Sequence, residues 1–197
     1  MREIFFRQSY IDLESAFNSL KEIKFPTWDT LPELELYMDQ VTSLMERYLS
    51  AVNIENEGLD DTDKIITPSM INNYVKKGYM PAPVKKKYGK EHLAYLFIIC
   101  TMKQSLPIPV IHTFIESMLT VTTIDKLMDM FVESYKECFT GCISDLQSTN
   151  ELAKERTDDE TLRKAILAVK ATAFANSGKI IGEIVNSNLS SYNCDEN

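Results

Sequence analysis

The sequence predicts a mainly all-α protein. Apolar residues recur at i, i+3 and i+4 through most of the chain, the spacing of helices with one buried face. Threonine caps, prolines and glycines punctuate these stretches at helical lengths. Strand signals are scarce: the one compact apolar run, "LFII" within residues 93–100, sits in a segment long enough to be a helix.

The elements follow in order. "SYIDLESAFNSLKEI" places Ile11, Leu13, Phe17 and Leu20 together, with Ser9 or Asp12 as the cap. "FPTWDTLPE" interrupts it. Thr30 with Glu33 has the spacing of a capping box, and Pro32 suits a first turn. A helix is therefore expected from there, with Tyr37, Val41, Leu44, Met45, Tyr48 and Leu49 on one stripe. Residues 51–66 are expected to form an acidic loop around Gly58. Thr67 and Pro68 start a short helix that Gly78 ends. "YMPAPVKKKYG" is a turn and a short extended piece. The helix from about Lys90 to Gln104 is apolar over much of its circumference, which marks it as central to a core. After "LPIP", Val110, Ile111, Phe114, Ile115, Met118 and Leu119 form a stripe. Another begins at Thr122 or Thr123 and carries Ile124, Leu127, Met128, Phe131, Tyr135, Cys138 and Cys142. Thr157 with Glu160 has capping-box spacing, and a long helix runs toward Leu189 with Gly178 as a possible kink point.

Composition narrows the function classes. The chain has 197 residues, 44% hydrophobic and 25% charged, which suits a globular protein. The longest apolar run has eight residues, "LAYLFIIC", against the roughly twenty of a membrane helix. The N-terminus mixes charges with aromatics, unlike a secretory or transit peptide, so a soluble cytoplasmic protein without membrane contact is expected. Cys100, Cys138, Cys142 and Cys194 are expected to be free thiols, buried as small hydrophobes. No metal site and no cofactor is expected, since His92 and His112 lie far from the Cys138–Cys142 pair. Without a Gly-rich phosphate loop or a paired metal-ligand motif, the chain does not resemble an enzyme. The acids at 158–160 suit the first turn of a helix, where they complement its dipole.

Charge is the strongest functional signal. The net charge is −8, yet Lys64 to Lys103 holds eight basic residues and one acid, Glu91, a local +7. Such segregation is either the footprint of a polyanion-binding segment in an acidic body or a solvated lysine face, and charge alone does not choose between them. On a helix over residues 68–77, Ser69, Asn72, Asn73 and Lys76 share a polar face, while Ile71, Tyr74 and Val75 share the opposite one. Asparagine can bond the adenine edge bidentately, and lysine can reach guanine or phosphate. Beyond the Gly78 stop and the "MPAP" turn, Lys85, Lys86 and Lys87 follow. A short extended segment beside a recognition helix is a wing, whose lysines neutralise flanking phosphates. Five lysines in this stretch (76, 77, 85, 86 and 87) predict a log–log salt slope of about −4 to −5.

The run "TPSMINNYVKKGYMPAPVKKKYGKEHLAYLFIICTMKQSLPIPVI" resembles the winged helix-turn-helix of the MerR regulators. Asn73-Tyr74 stands where that family ends its recognition helix, Gly78-Tyr79-Met80-Pro81 matches its turn, and Lys87-Tyr88 closes the wing. With "LPELELYMDQV" upstream, the similarity is closer to the bacterial domain of unknown function family eighteen-thirty-six, over roughly residues 31–115. The chain departs from MerR in lacking the recognition-helix Arg, in its shorter wing and in its long acidic insertion. The domain order expected is an N-terminal helix (1–30), a winged helix-turn-helix with its acidic loop (31–115), which the resemblance covers, and a C-terminal helical bundle or dimerisation region (116–197), to which it does not extend. The resemblance implies a transcriptional regulator binding double-stranded DNA, with Ser69, Asn72, Asn73, Tyr74, Lys76, Lys77, Lys85, Lys86, Lys87, Tyr88 and Lys90 at the interface; by analogy with MerR proteins a homodimer formed through the C-terminal helices is also expected. The rival expectation is an interaction adaptor that keeps the fold and has lost DNA binding.

Overall fold

The computed structural model describes residues 13–50 and 65–192. The candidate caps Ser9 and Asp12, most of the acidic loop 51–66, and Cys194 lie outside the described residues. The described elements are helical: α1 (Leu13–Lys21), a 3₁₀ turn (Trp28–Thr30), α2 (Met38–Leu49), α3 (Pro68–Lys76), α4 (Lys90–Met102), α5 (Ile108–Leu119), α6 (Ile124–Arg156) and α7 (Glu160–Tyr192). Two compact units divide the chain, one of Phe25–Val132 with Gly182–Asn197 and one of Met1–Lys24 with Glu133–Ile181.

The first unit is built on α4. Every residue from His92 to Thr101 is buried, as its apolar circumference requires. α4 packs against α2 and α5, and α2 against α3. Val41, Met45 and Leu49 present the buried stripe of α2; Ile71 and Tyr74 that of α3; Ile111 and Ile115 that of α5. The first turns of α6 close the core with Leu127, Met128 and Val132, and Phe131 meets the face of Phe97 edge-on at 6.3 Å.

In the second unit, Phe17, Ile143, Ala153 and Leu167 are buried. Polar contacts supplement this small apolar set. Lys170 pairs with Asp145 and bonds the Thr149 hydroxyl, both at 2.6 Å, and Asn150 donates to Glu14 at 3.4 Å.

The structure corrects three expectations. α2 starts at Met38 rather than at the Thr30–Glu33 box. Thr30 Oγ1 instead accepts from Thr27 N–H at 2.9 Å, closing the 3₁₀ turn, and residues 31–37 run on without helix. α7 is capped by Asp159, not Thr157: its carboxylate accepts from the N–H groups of Thr161 and Leu162 at 2.8 and 3.1 Å. Thr157 Oγ1 supports the cap by accepting from Asp159 N–H. Cys138 and Cys142 are free thiols but exposed, because α6 turns that face to solvent; Cys100 is buried as expected. α7 also continues as one helix through Gly178.

Candidate nucleic-acid interface

α3 begins as its sequence dictates. Thr67 Oγ1 accepts from Met70 N–H at 3.2 Å, and Pro68 occupies the first turn, where its missing N–H costs nothing. The helix ends in a Schellman motif. Tyr79 N–H reaches the Tyr74 carbonyl at 2.8 Å, Gly78 N–H reaches that of Val75 at 3.1 Å, and Gly78 takes φ +73°. Between these ends the helix splits as its spacing requires. Ser69, Asn72, Asn73 and Lys76 are exposed, while Ile71 and Tyr74 are buried. Tyr74 therefore anchors the helix rather than facing solvent. Burial, then the nearby Cys100, pushes its hydroxyl pKa up to about 12.

The basic extended piece is a two-residue hairpin. Val84 and Lys87 exchange both backbone hydrogen bonds, N–H to O at 3.1 and 2.9 Å. Lys85 and Lys86, at its tip, both have positive φ, 50° and 63°. That is the pattern of a type I′ turn, usually supplied by Asn-Gly. At its base, Tyr88 pairs antiparallel with Leu36, both backbone hydrogen bonds being 2.9 Å. Tyr88 is buried, and burial raises its pKa, so like Tyr74 it is a core anchor and not a surface contact.

His92 joins hairpin to helix. Its Nδ1 accepts from Gly89 N–H at 3.1 Å, capping α4, and its Nε2 lies 3.2 Å from the Ala82 carbonyl. Those partners require the Nε2-protonated neutral tautomer. The ring also meets Tyr88 edge-on at 5.5 Å.

The lysines fall into two groups. Lys76, Lys77, Lys85 and Lys86 are exposed and form no ion pair with the described residues. Lys87 and Lys90 are engaged. Lys87 lies 3.8 Å from Glu35 and over the Tyr37 ring at 5.7 Å. Lys90 bonds Glu33 at 2.5 Å and sits over the Trp28 ring at 5.0 Å, its side chain only 14% exposed. These pairs line a shallow depression of about 290 Å³ with Val84, Gly89, Glu91 and His92. Lys103, also in the basic window, donates to the Ile65 carbonyl and so holds the lead-in to α3. Glu33, Glu35, Tyr37 and His92 were not among the expected site residues. The alternation in "ELELY" was the available signal: Glu33, Glu35 and Tyr37 all contact lysines from an extended segment.

The family model for a domain of unknown function (DUF1836) matches residues 26–140. The chain belongs to that family. The DUF1836 match contains α2 to α5, the basic hairpin and the start of α6. No curated protein and no solved structure matches the chain. Among the described residues, no helix is long and apolar enough to cross a membrane.

Proposed function

We propose that this DUF1836 protein is a DNA-binding transcriptional regulator of the winged helix-turn-helix type. The recognition helix, residues 68–77, would enter the major groove, with Asn72 and Asn73 on base edges. The wing, residues 84–88, would lie against the backbone through Lys85 and Lys86. One observation carries the reading: an exposed Ser69/Asn72/Asn73/Lys76 face and an exposed lysine hairpin tip stand at the two ends of one structured turn. Two copies would associate through the C-terminal helices. The exposed Leu162, Val169, Ile180 and Ile181 of α7 support that association.

Titration of labelled duplex DNA between 50 and 200 mM salt is the test. Four available lysines predict a slope of about −3.6, and Lys85→Ala/Lys86→Ala removes about 1.8 of it. Asn73→Ala lowers the preference for a selected sequence more than it lowers overall affinity. Absence of binding at low salt, or binding indifferent to Lys85 and Lys86, refutes the reading. The pairing of Lys87 and Lys90 with acids favours a second reading, an interaction adaptor without DNA binding. A stable protein complex that retains no nucleic acid would distinguish it.

A further inference from the structure

The basic segment carries more lysine than it presents. Residues 31–37 bring Glu33 and Glu35 to the base of the hairpin. The Leu36–Tyr88 bridge fixes that segment by two backbone hydrogen bonds, so the carboxylates arrive from a located strand-like piece and not from a loose loop. Glu35 reaches Lys87 and Glu33 reaches Lys90. Each ammonium also lies over an aromatic ring, Tyr37 or Trp28. Carboxylate and phosphate oxygens compete for the same ammonium donors.

We propose that Glu33 and Glu35 are resident counterions that hold Lys90 and Lys87 out of the anion-binding set and thereby limit the affinity of the hairpin for polyanions. The proposal rests on the DNA reading for its regulatory consequence, and on geometry alone for the lysine pairing. The two pairs differ in separation and cover, 2.5 Å for Lys90–Glu33 against 3.8 Å for Lys87–Glu35. Lys90 is largely covered and serves to fasten the 31–37 segment. Lys87 is 39% exposed and its partner Glu35 54%, so this pair is screened and can be displaced. Lys87, adjoining Lys85 and Lys86, is thus a reserve contact. It becomes available when Glu35 is neutralised or when a closely spaced phosphate displaces it.

Two measurements on the full-length protein test this. In the first, Glu35→Gln steepens the salt slope for duplex DNA by about 0.9, one more phosphate contact, and tightens binding about fivefold to tenfold near 0.1 M salt. Glu35→Gln/Lys87→Ala returns both to the original values. Glu91→Gln, which removes a nearby carboxylate that pairs with neither lysine, leaves the slope unchanged. An unchanged slope for Glu35→Gln, in a protein that binds DNA, overturns the regulatory role. The second measurement uses no nucleic acid. Amine-reactive labelling, resolved by peptide mass spectrometry, should modify Lys85 and Lys86 fastest, Lys87 severalfold more slowly and Lys90 slowest. Glu35→Gln should raise the rate at Lys87 toward that of Lys85. If Lys87 already labels as fast as Lys85 in the unaltered protein, the proposal falls whatever the DNA result. If no variant binds DNA, the function proposed above falls instead, and labelling alone decides the pairing.

Discussion

Replacing Lys85-Lys86 by Asn-Gly should make the protein more stable while weakening its hold on polyanions. Both lysines occupy positive φ, 50° and 63°, and L-residues with a Cβ are disfavoured there by roughly 1–2 kcal/mol each. Glycine removes that penalty at position 86, and asparagine reduces it at position 85. Against this, glycine loses about 0.5–1 kcal/mol more backbone entropy on folding. The net expectation is a gain of about 1–2 kcal/mol, or a rise in Tm of about 5 °C for a unit of this size. Urea denaturation followed by circular dichroism measures it, with an unchanged m-value. The control is Lys85→Gln/Lys86→Gln, which removes the charges and leaves the backbone demand in place. Both variants should lose about 1.8 from the salt slope, since both remove two cations. If Lys85→Asn/Lys86→Gly is no more stable than the glutamine pair, the positive-φ tip is not strained.

Three other expectations follow from the same geometry. His92→Ala removes the acceptor for Gly89 N–H and the donor to Ala82, so the denaturation midpoint should fall by the equivalent of about 2–3 kcal/mol, with His92→Gln recovering part of it. Burial raises the Tyr74 pKa from 10.0 to about 12 and that of Cys100 from 9.0 to about 11, so both groups are harder to ionise in the folded state than in the unfolded one. Their contribution is complete below about pH 9 and is lost as pH rises through 11 and 12; Tyr74→Phe should shrink the fall in stability between pH 8.5 and 11 by about 1 kcal/mol. For the proposed association through α7, Ile180→Lys/Ile181→Lys, at positions already exposed, should shift sedimentation toward the monomer with little change in helix content, and a single sedimenting species unaffected by the change would refute that association.

The helices were legible where one physical demand fixed them. α4 has no polar face, so it had to lie in the core; Thr67-Pro68 and Gly78 mark the ends of α3 by chemistry that operates within one turn. Those signals are local, and the structure follows them. The start of α2 was missed because Thr30 and Glu33 have capping-box spacing but spend their side chains elsewhere, Thr30 within its own turn and Glu33 on Lys90, 57 residues away. A single sequence does not display a contact of that range. The lysine cluster was legible as charge. Its division into presented and paired cations was not, because it depends on which acids the fold brings alongside. Exposure of Cys138 and Cys142 likewise depends on how much of α6 is covered, which periodicity alone cannot give.

The Schellman turn and His92 together have a mechanical consequence. The end of α3 is locked by two backbone hydrogen bonds, and the hairpin is tied to the start of α4 through Ala82 and Gly89. Each lysine pair therefore sits on a frame of hydrogen-bonded backbone, Lys76-Lys77 at the locked end of α3 and Lys85-Lys86 between the paired Val84 and Lys87, so less of that backbone freedom remains to be lost on binding. Such a frame acts as a gauge. It would favour polyanions whose charges are already held at its own spacing over flexible ones that must be ordered to match it.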